Sequence, residues 1–333
     1  MGRILHAVAV MKIFVTGGAG FIGSHLVCRL VEDGHAVKVV DDFRTGFREN
    51  LASVAGSVEI IEADVRDAAA IERHTKGCDV VFHEAAVVSV PYSVEHPEET
   101  NDVNIRGTLN VALAARRNGV RRVVFASSAA IYGDEPTLPK DEAMLPLPVS
   151  PYGVEKLASE HYLRTFARLD GIETVALRYF NVFGPRQDPS SPYSGVISVF
   201  VSRILADEAV TFYGDGLQSR DFVYVSNVVD ANVLAATKPG VSGRVYNVAC
   251  GARTTLLDLA EMIAAASGQR VVKRHDDPRA GDIRDSLADI TRARTELGYE
   301  PRVGVGEGLR RLVAYEQTEG ARKRGERARG LLR

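Results

Sequence analysis

The sequence predicts an α/β fold, a doubly wound parallel sheet followed by a smaller α/β substrate-binding part. Three observations carry that expectation. Short apolar runs alternate with helix-period stretches through the first half, a glycine loop joins the first run to the first helix, and an acidic residue closes the second run. Such alternation builds parallel βαβ units, because parallel strands need a crossover that a helix supplies. The strand candidates are Lys12–Val15, Ala36–Val40, Val58–Glu62, Val80–Phe82, Arg122–Ser127 and Thr174–Arg178. Between them fall the helix patterns Ile22–Glu32, Ala68–His74, Val103–Asn118 and Tyr152–Leu169. The second half is less regular: proline and glycine gather from Gly184-Pro185 to Pro192 and again over Asp277–Gly281, the signature of long ligand-facing loops. This change of pattern would divide the chain into a first domain over 11–180 and a second over 181–333, some of whose segments return to the first.

Composition narrows the class. The 333 residues carry 41 Lys+Arg against 43 Asp+Glu, a net charge of −2, so there is no basic footprint for nucleic acid or an anionic membrane. No apolar run approaches the roughly 18–20 residues that span a bilayer. Cys28, Cys78 and Cys250 lie far apart with no CxxC pair, which argues against an oxidising compartment and a zinc site and for small buried hydrophobes. Met1–Val10, with Arg3, superficially suggests a signal peptide. Its apolar run instead continues through Met11–Val15 into the glycine loop and reads as a strand, so Met11 is an alternative start and the protein is expected in the cytoplasm. The basic tail Arg322–Arg333 reads as a frayed helix end.

Thr16-Gly17-Gly18-Ala19-Gly20-Phe21-Ile22-Gly23 follows the first strand and opens the first helix. Glycines let the backbone approach a pyrophosphate, and a helix N-terminus offers free N–H groups and a positive dipole end. The spacing is Gly-x-x-Gly-x-x-Gly rather than the commoner G-x-G-x-x-G, so the strand–loop–helix context carries the inference. Asp41 ends the second strand, where an acidic residue binds the adenosine ribose hydroxyls. Its charge repels a 2′-phosphate, which favours NAD; Arg44 close by leaves NADP open. Asp64-Val65, after the third strand, is placed to reach the adenine edge, with a loop cap as the alternative for Asp64.

Ser127-Ser128 closes the strand run Val123-Val124-Phe125, at the sheet end where open α/β folds bind ligands. Tyr152 and Lys156, after Ser150-Pro151, are four apart and share one helix face. A lysine ammonium beside a phenol favours the phenolate and lowers its pKa from about 10, so the tyrosine can serve as a general base, with Ser128 hydrogen-bonding the reacting oxygen.

Thr16–Gly23, Asp41, Asn104, Ser128, Tyr152 and Lys156 together resemble the extended short-chain dehydrogenase/reductase family of nucleotide-sugar-modifying enzymes, from about Lys12 to Pro301. Within it the chain is most similar to NAD-dependent UDP-hexose 4-epimerases, particularly those that also take UDP-N-acetylhexosamines. That likeness rests on Leu177–Pro189, Gly214–Gly216 with Ser219–Phe222, and Arg279–Asp289. The resemblance implies a Rossmann-type fold, with NAD held by Gly17, Gly20, Phe21, Ile22, Gly23, Asp41, Asp42, Asp64, Val65, Ala85, Ala86, Asn104, Tyr152, Lys156 and Tyr179. It implies catalysis by Ser128, Tyr152 and Lys156. The UDP-sugar would lie against Ser128, Tyr152, Asn181, Arg220, Arg279, Asp282 and Ser286, with arginines suited to phosphate by their paired charged donors; surface ion pairing is the alternative for each arginine. A homodimer through the helices at Val103–Asn118 and Tyr152–Leu169 is also implied, although burial within one chain explains the Leu157, His161, Leu163, Phe166 stripe equally well.

Neighbouring members of that family include 4,6-dehydratases, with an Asp-Glu pair after the active-site hydroxyl residue, and UDP-glucuronate decarboxylases, with a glutamate there. This chain has Ala129 and Ala130, which cannot transfer a proton, so the expectation is C4 oxidation and reduction alone. Ser286 stands where hexose-restricted members carry a bulky aromatic, which leaves room for a 2-acetamido group; a loop serine without steric role is the alternative. A non-catalytic NAD-sensing protein is the rival of another class, disfavoured by the intact tyrosine–lysine pair.

Overall fold

The computed structural model describes residues 10–188, 195–278, 284–320, 322–323 and 325. In chain order the first half runs β1 (Lys12–Thr16), α1 (Phe21–Glu32), β2 (Ala36–Asp41), β3 (Val58–Glu62), α2 (Ala68–Thr75), β4 (Val80–His83), α3 (Val90–Glu95) and α4 (Pro97–Asn101). It continues through α5 (Gly107–Arg117), β5 (Arg122–Ser128), α6 (Pro151–Asp170) and β6 (Glu173–Tyr179). The second half runs β7 (Asn181–Phe183), α7 (Val196–Leu205), β8 (Val210–Tyr213), β9 (Ser219–Arg220), β10 (Phe222–Tyr224) and α8 (Val225–Thr237). Then follow β11 (Arg244–Val248), β12 (Thr254–Thr255), α9 (Leu256–Ser267), β13 (Lys273–Asp276) and α10 (Val305–Tyr315).

Seven strands form one parallel sheet in the order β3-β2-β1-β4-β5-β6-β11. Ile13, Phe14 and Val15 of β1, Val80–Phe82 of β4 and Val123–Phe125 of β5 are all buried, as strands covered on both faces require. On one face Leu26, Val27 and Leu30 of α1 pack with Val228 and Ala231 of α8; on the other, Ile71 of α2, Val111 of α5 and Leu163 of α6 close the second layer. A third apolar cluster, built from α7, α9, α10, β8 and β10, forms the smaller part beside the sheet. Its strands pair in three short two-stranded units: β10 with β7, β12 with β9 and β13 with β8.

Five of the six expected first-half strands run one residue further than expected, to Thr16, Asp41, His83, Ser128 and Tyr179. Those added residues sit at the carboxyl edge, and pairing aligns Thr16 with His83 and Ser128 with Tyr179. The order reverses between β1 and β4, the place where doubly wound sheets open a ligand crevice. Strand β11 is an addition to the expected set: its Arg-Val-Tyr-Asn-Val pattern mixes polar and apolar residues, yet it joins the sheet beside β6. The helix expected over Val103–Asn118 starts earlier, at Pro97, and contains a π-helical turn over Asp102–Arg106 before α5. Cys78 is buried, Cys28 and Cys250 are half-buried, and all three are free. Among the described residues no helix is long and apolar enough to cross a membrane.

Candidate active site

The glycine loop is shaped by contacts that only hydrogen can make. Gly17 has φ +68°, and a Cβ there would lie 2.6 Å from the Ala85 nitrogen; a Cβ on Gly23 would lie 2.2 Å from the Gly17 oxygen. Gly20 precedes α1 with no side chain capping the helix, so the N–H groups of the first turn around Phe21, Ile22 and Gly23 are open to an anion. Asp41 is buried at the end of β2, where its two carboxylate oxygens accept the N–H groups of Ala19 and Phe43, both at 2.9 Å. Burial raises its pKa while those backbone donors lower it. Asn50 donates to the Ala19 oxygen at 2.9 Å, which ties the loop down from the other side. The uncapped helix, the backbone cradle and the buried carboxylate fit a dinucleotide: phosphates at the helix end, ribose at Asp41.

The remaining cofactor candidates divide. Asp42 is exposed and accepts the Arg44 N–H at 3.1 Å. Arg44 is bonded to Glu99 and, at 2.9 Å, to the Tyr92 hydroxyl, so its guanidinium is already occupied. Asp64 holds Arg66 through both carboxylate oxygens and caps its N–H at 2.8 Å, which supports the loop-cap alternative; that arginine lowers its pKa. Val65 is buried against Gly107, where a Cβ would lie 2.7 Å from its methyl. Ala85 donates to the Thr16 hydroxyl at 3.3 Å, beside half-buried Ala86. Asn104 sits on the π turn and clamps Val87, accepting its N–H at 2.9 Å and donating to its oxygen at 3.0 Å. Such turns recur at functional sites.

Helix α6 carries the expected tyrosine and lysine. Ser150 caps it through the Gly153 N–H at 3.2 Å, Pro151 opens it, and the Tyr152 N–H donates to the Ser93 hydroxyl at 3.1 Å. Ser128 faces the phenol of Tyr152 and lowers its pKa, and the ammonium of Lys156 donates to the Ala126 oxygen at 2.7 Å, 5.8 Å from the Tyr152 ring centre. One expectation is corrected here. Proximity to the ammonium predicts a lowered Tyr152 pKa, but burial pushes the phenol up to about 12; Ser128 opposes this and the charge of Glu155 adds to it. Burial also pushes Lys156 down to about 8 against the pull of Glu84, Glu155 and Glu160. A further positive charge in this pocket would bring the phenol back down.

Sequence reasoning missed four supporting acids. Glu155 binds Thr100 and Asn104, each at 2.6 Å. Glu160 forms a two-pronged ion pair with Arg178, at 3.0 and 2.8 Å, and accepts from Ser127 at 2.5 Å. Glu84 accepts from the Tyr179 hydroxyl at 2.9 Å. Asp221 accepts the N–H groups of Cys250, Gly251 and Ala288 at 2.8, 2.9 and 3.2 Å. The signal for the first two was polar residues spaced three and four from Tyr152 and Lys156 on a face that had to be buried.

On the substrate side, exposed Asn181 opens β7 and donates its N–H to the Asp221 oxygen at 3.2 Å. Arg220 lies on β9, and Ser286 is fastened to the same strand by its N–H on the Ser219 oxygen at 3.0 Å. Arg279 and Asp282 lie outside the described residues. The α6 stripe splits: Leu163 is buried, Leu157 and Phe166 are half-buried against the core, and His161 is exposed.

Residues 13–249 match the NAD dependent epimerase/dehydratase family. A protein of Mycolicibacterium smegmatis named UDP-glucose 4-epimerase is 41% identical over 310 residues, 92% of this chain and 98% of that one. The structure of UDP-N-acetylglucosamine 4-epimerase from Methanobrevibacter ruminantium, in complex with UDP-N-acetylmuramic acid, superposes with a TM-score of 0.89 at 41% identity, covering 94% and 100% of the two chains. That of Thermus thermophilus UDP-glucose 4-epimerase in complex with NAD gives 0.85 at 39% identity, over 92% and 99%. The chain belongs to the NAD dependent epimerase/dehydratase family.

Proposed function

We propose that the chain is an NAD-dependent 4-epimerase of UDP-sugars, acting on UDP-N-acetylglucosamine/galactosamine and on UDP-glucose/galactose. The observation that carries the reading is the meeting of Ser128, Tyr152 and Lys156 at the sheet edge beside the glycine loop, with Ala129 and Ala130 where a dehydratase needs proton-transferring side chains. Tyr152 takes the proton of the sugar O4 hydroxyl, and Ser128 hydrogen-bonds the same oxygen. When bound, NAD supplies a reversible hydride acceptor for sugar C4 and a positively charged ring that opposes the burial penalty on the phenolate. Lys156 adds the second positive charge and orients the nicotinamide ribose. The 4-keto sugar turns about its pyrophosphate link while Asn181, Arg220 and Arg279 keep hold of UDP, and Tyr152 returns the proton once the other face is presented. No net redox change occurs, so the cofactor can stay bound between turnovers.

On this reading Ser286, half-buried beside β9, is the small side chain that admits a 2-acetamido group. Exposed Val154, Tyr162 and Leu169 on α6 support pairing of two copies through α5 and α6. Free cysteines agree with a cytoplasmic enzyme. The test is to incubate the purified protein with UDP-N-acetylglucosamine and, separately, UDP-glucose, without added NAD, and to separate the products. C4 epimers in a finite ratio are expected; a 4-keto-6-deoxy product would overturn the reading in favour of a dehydratase.

A further inference from the structure

We propose that Glu84 is a positioning residue of this site, the carboxylate whose charge keeps Lys156 an ammonium at the working pH of the reaction. The proposal rests on the 4-epimerase reading and assigns a role to a residue outside the Ser128, Tyr152, Lys156 set. Glu84 directly follows β4, where its N–H donates to the Thr16 oxygen at 3.1 Å, next to the Ala85 backbone that abuts Gly17. Its carboxylate accepts the Tyr179 hydroxyl at 2.9 Å, and that hydroxyl accepts from the Asn232 amide at 2.7 Å. Strand β5 lies between β4 and β6, so the Glu84–Tyr179 bond spans the end of β5. Lys156 is anchored on that same strand through the Ala126 oxygen, and the pairing of His83 with Phe125 sets Glu84 beside Ala126 in the register.

The other charges facing Lys156 have different partners. Glu160, on α6, is balanced by Arg178. Glu155, also on α6, is turned to Thr100 of α4 and Asn104 of the π turn. His83 of β4 bonds Thr16 and Thr108 and is kept neutral by burial and by Lys156 itself, with its pKa down to about 3. Tyr152 and Tyr179, on α6 and β6, are phenols pushed up by burial. Glu84 bonds a neutral hydroxyl, and its charge is the strongest of those that oppose the burial penalty on Lys156. Burial in turn holds the Glu84 carboxyl up at about 7, against the Tyr179 bond and the Lys156 charge. Two opposite charges that titrate this close together lose and gain protons as a pair.

The sign follows. Acidification neutralises Glu84 where Lys156 is protonated in any case, so the pair matters on the alkaline side. Without the carboxylate the ammonium deprotonates at lower pH. Glu84→Gln keeps an oxygen for the Tyr179 hydroxyl and removes the charge. In the holoenzyme we expect the alkaline limb of kcat to move down by about one pH unit, a size ordinary for one nearby opposite charge, with KM for the UDP-sugar within about twofold. Tyr179→Phe removes the hydrogen bond and keeps the charge, and it should leave the limb in place. An unmoved limb in Glu84→Gln, or an equal shift in both variants, would overturn the proposal. NMR titration of lysine side chains labelled at Cε, with Lys156→Met for assignment, reads the same pKa without turnover. If the wild type fails to epimerise, the functional reading falls, and this second measurement still decides for or against Glu84.

Discussion

The two halves of the site are built by different means. At the sheet edge Thr16, Asp41, His83, Ser128 and Tyr179 are the last residues of strands, placed by a parallel register that the buried core fixes. On the substrate side Ser219, Ser286 and Ala288 hang on short strand pairs and on one buried carboxylate, Asp221, gathering three backbone N–H groups from two loops. Arg284, exposed, is held to Asp215 by bonds of 2.7 and 2.9 Å that add little stability at a solvated surface. Register cannot drift by a fraction of a residue, because a slip of one flips every side chain. Loop fastening can be altered one contact at a time. On the proposed function, the chemistry is set by the part that tolerates least change, and substrate choice by the part that tolerates most.

The sharpest test of that contrast is Tyr152→Phe. It should lower kcat at least about a thousandfold, as loss of a base placed in direct contact does, while NAD remains bound by absorbance after gel filtration. Retained turnover would remove Tyr152 as the base. Next in size is Gly23→Ala. Its methyl would press on the Gly17 backbone rather than on a yielding side chain, so we expect a loss of about 1–3 kcal/mol in stability and a cofactor that dialyses away. Ser286→Tyr should act in one direction, cutting kcat/KM for UDP-N-acetylglucosamine by roughly tenfold or more, as a closed pocket does, and sparing UDP-glucose. Equal losses on both sugars would mean that Ser286 has no steric role.

The smallest effect separates the halves by pH. His83 has its pKa depressed from 6.5 to about 3 by burial, so its share of stability is lost as pH falls below 6.5. Asp221 has its pKa raised from 3.8 to about 6 by burial, so its share is present below 3.8 and lost as pH rises from there through about 6. Between about pH 6 and 3.8 the two contributions run oppositely, each at up to about 1.4 kcal/mol per pH unit. Hydrogen-exchange protection should weaken around β1 and β4 and strengthen around 249–252 and 287–289 on acidification. Parallel behaviour of the two regions would contradict the assignment.

Most of the first half is legible because parallel strands buried on both faces are written as uninterrupted Val, Ile and Phe, and because a glycine that faces backbone cannot be anything else. Asp41, Ser128 and the Tyr152–Lys156 pair follow from position alone. Strand β11 is hidden since Tyr246 and Asn247 interrupt its apolar pattern; Asn247 accepts from Tyr132 at 2.7 Å, a partner 115 residues away. The direction of the phenol pKa is lost to sequence reasoning since proximity of Lys156 is visible in spacing and burial is not. Glu84 and Asp221 look like ordinary loop acids, and only three-dimensional neighbours distinguish them.

The π turn in the helix leading to α5 has a bearing on how such chains diverge. One residue more than an α-helix needs lets the Asn104 carbonyl take the hydroxyls of Thr108 and Ser159, at 2.6 and 3.1 Å, and swings its amide onto Val87 and Glu155. A helix advances about 100° per residue, so a single codon lost between Asp102 and Arg106 would be a change of phase rather than of length. Everything ahead of it, including the Tyr92 and Glu99 that hold Arg44, would turn away from the cleft together. Alignments of related chains should treat a gap at this point as a rotated binding wall and not as a shortened surface loop.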